Sequence, residues 1–279
     1  MVIAGPAPTE RFTDRAASYA RARPGYPDAI APTLARELAL PAGAAVADLG
    51  SGTGLSCEPF LRAGFEVIGV EPNDAMRAAG DRQLAAYPRF RSVAGTAEAT
   101  TLPDASVDLV IAAQAFHWFD VPRARAEALR ILKRPAHAAL IWNDRISTGS
   151  PFAEGYEQLL LDFGIDYAKI RHRHAHEESV TEFFGGPVWR ERRFANPTEL
   201  DWETLVERLN SASYVPKPDA PTYAPMLARL RELFDAGQRD GRIVMAYDTR
   251  VFFGAMGAGI PIKPRCADFT SVGRNTLGS

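Results

Sequence analysis

The stretch Val46-Ala-Asp-Leu-Gly-Ser-Gly-Thr-Gly54 decides which fold this sequence predicts. A short apolar run, typical of a buried strand, leads directly into three glycines at alternate positions, and a segment of helical character follows. Glycines let the backbone turn sharply and approach a ligand closely, and the next helix presents its N-terminal N–H groups. The pattern therefore predicts a nucleotide-like ligand at a glycine loop. A glycine-rich turn without a ligand is the alternative.

An acidic residue ends the next apolar run, Phe65-Glu-Val-Ile-Gly-Val-Glu-Pro72. At the carboxyl end of a second parallel strand, Glu71 would lie beside the glycine loop, where a carboxylate accepts both hydroxyls of a ribose. A dinucleotide-binding fold shares this acid but requires G-x-G-x-x-G. Counted from Gly50 the sixth position is Leu55, and counted from Gly52 it is Cys57. A nicotinamide cofactor is therefore the second choice.

Apolar runs rich in Val, Ile and Ala alternate with amphipathic stretches along most of the chain. Near-continuous apolar runs are typical of parallel strands that helices cover on both faces. The predicted fold is α/β: a doubly wound, Rossmann-like sheet of seven strands, mostly parallel with an antiparallel C-terminal strand, and helices on both faces. The predicted strands are residues 45–49, 66–70, 90–94, 107–112, 138–142, 188–195 and 242–253.

The predicted helices divide the chain into a core and two additions. We expect one domain over residues 1–256, with an N-terminal helical cap at about 9–40 and an inserted, substrate-side segment at about 146–218. Residues 257–279 are rich in helix and strand breakers and are predicted to form an irregular tail. After the fifth strand, helices are expected at residues 151–163, 198–209 and 223–236.

The composition is that of an ordinary soluble protein and excludes several classes of function. The chain has 279 residues, with 32 Lys and Arg against 34 Asp and Glu, a net charge of −2. A chain of this length forms a full core without disulfides or metals, and its charge does not favour nucleic acid as a partner.

Cys57 and Cys266 lack metal-ligand spacing, and the histidines at 172, 174 and 176 fit a solvated segment better than a metal site. Without a signal sequence or an apolar run of about 18 residues, a cytoplasmic monomer or homodimer with no membrane span and no metal is expected.

Four motifs in order resemble the class I S-adenosylmethionine-dependent methyltransferases, in particular their small-molecule branch, methyltransferase type 11. They are D-L-G-S-G-T-G at 48–54, V-I-G-V-E-P-N-D-A-M at 67–76, G-T-A-E-A-T-T-L-P at 95–103 and V-D-L-V-I-A-A-Q-A-F-H-W-F-D at 107–120. The resemblance covers about residues 10–145. It implies S-adenosylmethionine as cofactor and a small molecule as methyl acceptor. One departure is the glycine-free stretch 132–137, where relatives have a Leu-Lys-Pro-Gly-Gly turn.

The resemblance also assigns site residues. It places Asp48 and the glycine loop near the methionine end of the cofactor, Glu71 at the ribose, and the loop after the third strand at the adenine. Arg23, in an N-terminal segment that folds over the cofactor in relatives, would meet the methionine carboxylate. The implied cofactor-binding residues are Tyr19, Arg23, Asp48, Gly50, Ser51, Gly52, Gly54, Glu71, Pro72, Asn73, Met76, Thr96, Ala97, Glu98 and Gln114.

Residues after the fourth strand are candidates for catalysis. His117 is the candidate general base, and Tyr26 and Trp118 are candidates for binding the acceptor. Local packing of this aromatic stretch is an equally strong interpretation. The acceptor is left open among a carboxylate, which needs no base, and a hydroxyl or an amine, which does. A nicotinamide-dependent reductase and a catalytically inactive, cofactor-binding partner subunit are the alternative functions.

Overall fold

The computed structural model describes residues 23–165, 167, 177–212 and 214–257. Tyr19, the three histidines at 172–176, Cys266 and the predicted tail from residue 258 onward lie outside these residues. The same holds for the first part of the predicted N-terminal cap.

A seven-stranded sheet forms the centre of the described structure, with the strand order β3-β2-β1-β4-β5-β7-β6. Only β7 runs antiparallel to its neighbours β5 and β6, and the other pairs are parallel. This arrangement confirms the predicted fold class. The strands are β1 (Ala45–Leu49), β2 (Glu66–Val70), β3 (Phe90–Val93), β4 (Val107–Ala113), β5 (Leu132–Arg145), β6 (Arg190–Leu200) and β7 (Ile243–Ala255).

Helices cover both faces of the sheet, as the continuous apolar runs of its strands require. On one face Val46 and Leu109 pack with the helices at residues 30–37 and 57–62, and on the other Ala47 and Val110 pack with the helices at residues 121–131 and 177–184. No helix in the described ranges is long and apolar enough to cross a membrane. The helices are α1 (Ile30–Glu37), α2 (Cys57–Arg62), α3 (Asp74–Gln83), α4 (Val121–Ile131), α5 (Pro151–Phe163), α6 (Glu177–Phe184), α7 (Trp202–Asn210) and α8 (Tyr223–Gly237).

The three strands β5, β7 and β6 extend well beyond the end of β4. Ala113, the last residue of β4, pairs with Ile141, whereas β5 continues to Arg145, opposite Tyr247 of β7. This extension carries a hydrophobic cluster of its own, made with α5, α7 and α8. The cluster combines residues from the expected inserted segment, which ends at about residue 218, with residues that follow it: Tyr156, Leu160, Leu205, Leu209, Met226, Leu230 and Phe234.

Predicted boundaries of β5, β6 and α7 are wrong. The strand predicted at 188–195 is β6, Arg190–Leu200. The helix predicted from residue 198 begins at Trp202, because residues 198–200 continue β6 and the Asp201 side chain caps the helix by accepting a hydrogen bond from Thr204 N at 2.9 Å. The strand predicted at 138–142 is longer at both ends, because it begins at Leu132, directly after α4, and ends at Arg145. The glycine-free stretch is thus part of a strand, and the register between β4 and β5 shifts there, since Val107 pairs with Leu132 and Leu109 with His137.

Candidate active site

Three glycines hold the loop after β1 in a conformation that other residues rarely adopt. Gly50, Gly52 and Gly54 have φ angles of +70°, +57° and +84°. A Cβ on Gly50 would lie 2.7 Å from the Cβ of Ala115, and a Cβ on Gly54 would lie 2.5 Å from Leu84 Cδ1. Both the backbone angles and the neighbouring atoms therefore require glycine here.

Glu71, at the end of β2, is bound to this loop. Its Oε2 accepts a hydrogen bond from Gly52 N at 2.9 Å, and its Oε1 accepts one from Asn73 N at 2.8 Å. Burial raises the pKa of the Glu71 carboxyl, while the two backbone hydrogen bonds and the charge of Arg77 oppose that shift. Because each carboxylate oxygen has two lone pairs, both oxygens can accept a further hydrogen bond from a ligand.

Asp48 is a second buried carboxyl beneath the loop. Its Oδ2 accepts hydrogen bonds from Ser56 Oγ at 2.5 Å and from Cys57 Sγ at 3.2 Å. Its Oδ1 is buried and has no hydrogen-bond partner among the residues that the structure describes. Burial raises its pKa to about 7, although the bonds from Ser56 and Cys57 lower it, and Glu71 adds to the increase. A buried acceptor of this kind is satisfied when a ligand supplies a donor or a positive charge.

The start of α3 lies against the same loop. The Asn73 side chain caps this helix by accepting a hydrogen bond from Met76 N at 3.0 Å. Met76 is buried, and its Cε lies 3.4 Å from the position that a Cβ on Gly52 would occupy. Ser51 is buried as well, and Pro72 is half-buried. Met76 and Asn73 therefore lie beside the loop together with Glu71, Ser51 is part of the loop, and Pro72 follows Glu71.

The loop after β3 is connected to the start of α4. Thr96 is exposed, and its backbone pairs with that of Ala99, while Ala97 is buried. Glu98 Oε1 accepts a hydrogen bond from Asp120 N at 2.9 Å. The predicted adenine-side residues thus lie on a loop that is tied to the segment following β4.

Gln114 follows β4 and has a left-handed backbone, with a φ angle of +55°. Two hydrogen bonds to β5 hold it in this strained conformation: its backbone N donates to Ile141 O at 3.0 Å, and its Nε2 donates to Asn143 O at 3.1 Å. The turn after β4 is therefore hydrogen-bonded to residues 141–143 of β5, next to the glycine loop.

The aromatic stretch after Gln114 is anchored by Phe116, which sequence reasoning did not single out. His117 and Trp118 are exposed, and their rings contact each other with centroids 4.8 Å apart and planes tilted by 44°. Local packing therefore involves Phe116 rather than Trp118. A single buried position at the start of a one-turn helix, followed by two exposed ones, leaves no periodicity from which Phe116 could be found. The ring of Phe116 packs edge-on against Phe119, Trp142 and Phe183.

The N-terminal segment, residues 23–29, crosses the carboxyl end of the sheet. Arg23 donates a hydrogen bond to Ser211 O, after α7, at 3.1 Å. Gly25 O accepts hydrogen bonds from Asn143 Nδ2 at 3.1 Å and Asn196 Nδ2 at 2.9 Å. Neither asparagine is among the residues predicted from the sequence. Asn143 had a usable signal, since it is the first polar residue after an apolar strand, at the end where α/β sheets bind ligands.

Strand order, glycine loop and the acid after β2 together define a fold of the class I methyltransferase type. A family model described as a methyltransferase domain matches residues 47–140. An uncharacterised methyltransferase-like protein of Schizosaccharomyces pombe is 35% identical over 249 residues, which are 86% of this chain and 93% of that protein. The chain therefore belongs to the class I S-adenosylmethionine-dependent methyltransferase family, as its motifs indicated.

Two further comparisons describe the extent of the likeness. An uncharacterised methyltransferase of Mycobacterium tuberculosis is 39% identical over 138 residues, 48% of this chain. The match spans about half of that relative, 52% of its length. A solved structure from Anaeromyxobacter dehalogenans, named a type II methyltransferase, is 23% identical and superposes with a TM-score of 0.58, covering 84% of this chain and 98% of that one. This structural likeness shows the fold alone.

Proposed function

We propose that this protein transfers a methyl group from S-adenosylmethionine to a small-molecule acceptor by direct in-line displacement. One observation carries the proposal: two buried carboxyls lie at the same glycine loop. Both oxygens of Glu71 can accept a further hydrogen bond, and Asp48 Oδ1 has no hydrogen-bond partner among the described residues. A ligand that combines ribose hydroxyls with a positively charged end suits both carboxyls. Membership of the methyltransferase family supports the same cofactor.

In this proposal the residues of the chain bind the cofactor, orient it towards the acceptor and exclude water from the site. When bound, S-adenosylmethionine supplies a methyl group on a positively charged sulfur. The glycine loop lets the backbone approach it, Glu71 accepts hydrogen bonds from its ribose, and residues 96–98 flank its adenine. Gln114 and Arg23 border the methionine end. Because the displacement itself needs no covalent help from the protein, alignment and exclusion of water supply most of the rate enhancement.

Whether His117 acts as a general base depends on the chemical class of the acceptor. With a hydroxyl or amine acceptor, His117 acts as general base, so the rate should rise with pH as its imidazole loses a proton, and His117→Ala should cost roughly a hundredfold. With a carboxylate acceptor no proton moves, so the pH profile should be flat and the loss under about tenfold. Tyr26 and Trp118 are the proposed contacts of the acceptor.

Calorimetric titration with S-adenosylmethionine, S-adenosylhomocysteine and NADH tests the cofactor. We expect binding of the first two and none of NADH; the reverse result supports a reductase. A panel of small acids, alcohols and amines with methyl-labelled cofactor then tests transfer. Cofactor binding without transfer to any member of a broad panel favours the inactive partner subunit.

A further inference from the structure

A pair of asparagines lies where β5 leaves the edge of β4. Asn143 is on β5 and pairs in register with Thr249 of β7, and Asn196 is on β6, opposite Tyr247. Asn143 and Thr249 are buried, and Asn196 is half-buried. Two residues earlier on β5 the same face carries the apolar Ile141. The face of the sheet therefore changes from apolar to hydrogen-bonding at the level where β4 ends.

The asparagine pair directs two amide groups at one backbone carbonyl. Both Nδ2 atoms donate to Gly25 O, from two different strands, at 3.1 and 2.9 Å. Asn143 Oδ1 accepts from Asn196 Nδ2 at 3.2 Å, which joins the two amides to each other, and it also accepts from Thr249 Oγ1 at 2.5 Å. Water competes least for the buried bond from Thr249 and less for the part-buried bond from Asn143 to Gly25 O than for the exposed bond from Asn196.

Asn143 also contacts Gln114, one of the predicted cofactor-binding residues. The backbone oxygen of Asn143 accepts the hydrogen bond from Gln114 Nε2, at the end of β4. Tyr26, next to Gly25, packs against the cluster that contains Ile111 and Ile141. Asn143 is thus the residue at which the turn after β4 and the N-terminal segment are joined.

We propose that Asn143, with Asn196, is a positioning residue that fixes residues 23–29 across the carboxyl ends of β4 and β5, as the wall of the site that faces the transferred methyl group. The location of that methyl group rests on the proposed function. The attachment itself does not, because it is made by hydrogen bonds within the chain. Release of Gly25 is expected to open this wall and weaken cofactor binding while the sheet stays folded.

Three variants separate attachment from stability. Asn143→Asp keeps the size of the side chain and the acceptor for Thr249, but it loses the N–H that binds Gly25 O. Asn196→Ala removes the second donor on a half-exposed edge strand, and so serves if Asn143→Asp does not fold. Thr249→Val is the matched control: it removes a buried hydrogen bond of the same network and leaves both bonds to Gly25 in place.

Hydroxyl-radical labelling of the ligand-free protein reports on the segment through Tyr26, with the buried Tyr156 as internal reference. We expect Tyr26 to be labelled several times faster in Asn143→Asp and Asn196→Ala, and at the wild-type rate in Thr249→Val. Tyr26 labelled at the wild-type rate in all variants overturns the proposal.

Calorimetry with S-adenosylhomocysteine then tests the consequence. We expect affinity to fall about tenfold in Asn143→Asp and Asn196→Ala and less than twofold in Thr249→Val, although all three variants lower the melting temperature. If affinity instead follows melting temperature across the three variants, the pair has only a structural role and the proposal fails. A wild-type protein that binds no S-adenosylhomocysteine overturns the proposed function, whereas Tyr26 labelling still decides whether the pair holds the segment.

Discussion

The two halves of the sheet differ in what determines their strands. In β3, β2, β1 and β4 the strands have four to seven residues, and in β5, β7 and β6 they have 11 to 14. The short strands end at local signals such as the glycine loop after Leu49 and the helix cap at Asn73. The long strands continue because they pair with one another beyond the end of β4. Local chemistry therefore shapes the first half, and partner strands shape the second.

The buried polar groups of the two halves differ as well. Below the glycine loop the first half buries Asp48 and Glu71, and burial raises the pKa of both carboxyls. In the second half Asn143, Arg208 and Thr249 are buried, and the half-buried Arg145 is ion-paired with Glu157 and lies 4.9 Å from the ring centroid of Tyr156. The first half thus holds carboxyls able to meet a cofactor, and the second half holds a paired charge that packs helices onto strands.

Gly52→Val is expected to have the largest effect on cofactor binding. A branched side chain at a φ angle of +57° is strained and fills the approach to the loop next to Met76. Affinity for S-adenosylhomocysteine should fall on the order of a thousandfold, about 4 kcal/mol. Gly241→Val, at a φ angle of +75° with open space around it, imposes the same strain in the second half and is the control. Equal affinity in the two variants would contradict a cofactor role for the loop.

Asp48 should make stability depend on pH. Because burial raises its folded pKa from 3.8 to about 7, the folded state holds a proton that the unfolded state releases, so this contribution declines as pH rises from about 4 to about 7. The total change is on the order of 4 kcal/mol. Asp48→Asn removes this titration, so chemical unfolding should show the variant gaining on the wild type as pH increases. A difference that stays constant with pH, or has the opposite sign, contradicts the assignment.

Leu205→Ala should separate stability from cofactor binding. Leu205 on α7 is fully buried in the cluster of the second half, so its truncation should cost about 3 kcal/mol of unfolding free energy. Affinity for S-adenosylhomocysteine, measured well below the melting temperature, should change less than twofold. Leu161→Ala, at an exposed position of α5, should leave both quantities nearly unchanged. A tenfold loss of affinity in Leu205→Ala would show that the two halves are not separable.

Glu71→Gln should have the smallest of the four effects. It keeps the size of the side chain and one acceptor oxygen but removes the charge, so S-adenosylhomocysteine affinity should fall by about 1.5 to 3 kcal/mol, roughly ten- to a hundredfold. Glu58→Gln, whose carboxylate pairs with Arg62 on the surface of the same half, is the control. Calorimetry that gives wild-type affinity for a folded Glu71→Gln would exclude the ribose contact.

The sequence by itself predicts the first half closely, since its signals are local. The strands at 45–49 and 66–70 agree with the structure at both ends, and Glu71 lies against the glycine loop as its place after β2 requires. The helix predicted over residues 151–163, which packs in the second half, is also confirmed. Its start has local signals, because Ser150 caps the helix and a proline is its first residue. In each of these cases residues within a few positions of one another specify the backbone.

Only the tertiary structure decided the lengths of β5 and β6 and the contacts of Asn143. Residues 198–200 resemble a helix start, yet they form a strand because β7 supplies hydrogen bonds to them. Asn143 is 118 positions from Gly25, and Asn196 is 171 positions from it. Such contacts depend on which strands become neighbours in the sheet, and the hydrophobic pattern of one strand does not specify its partners.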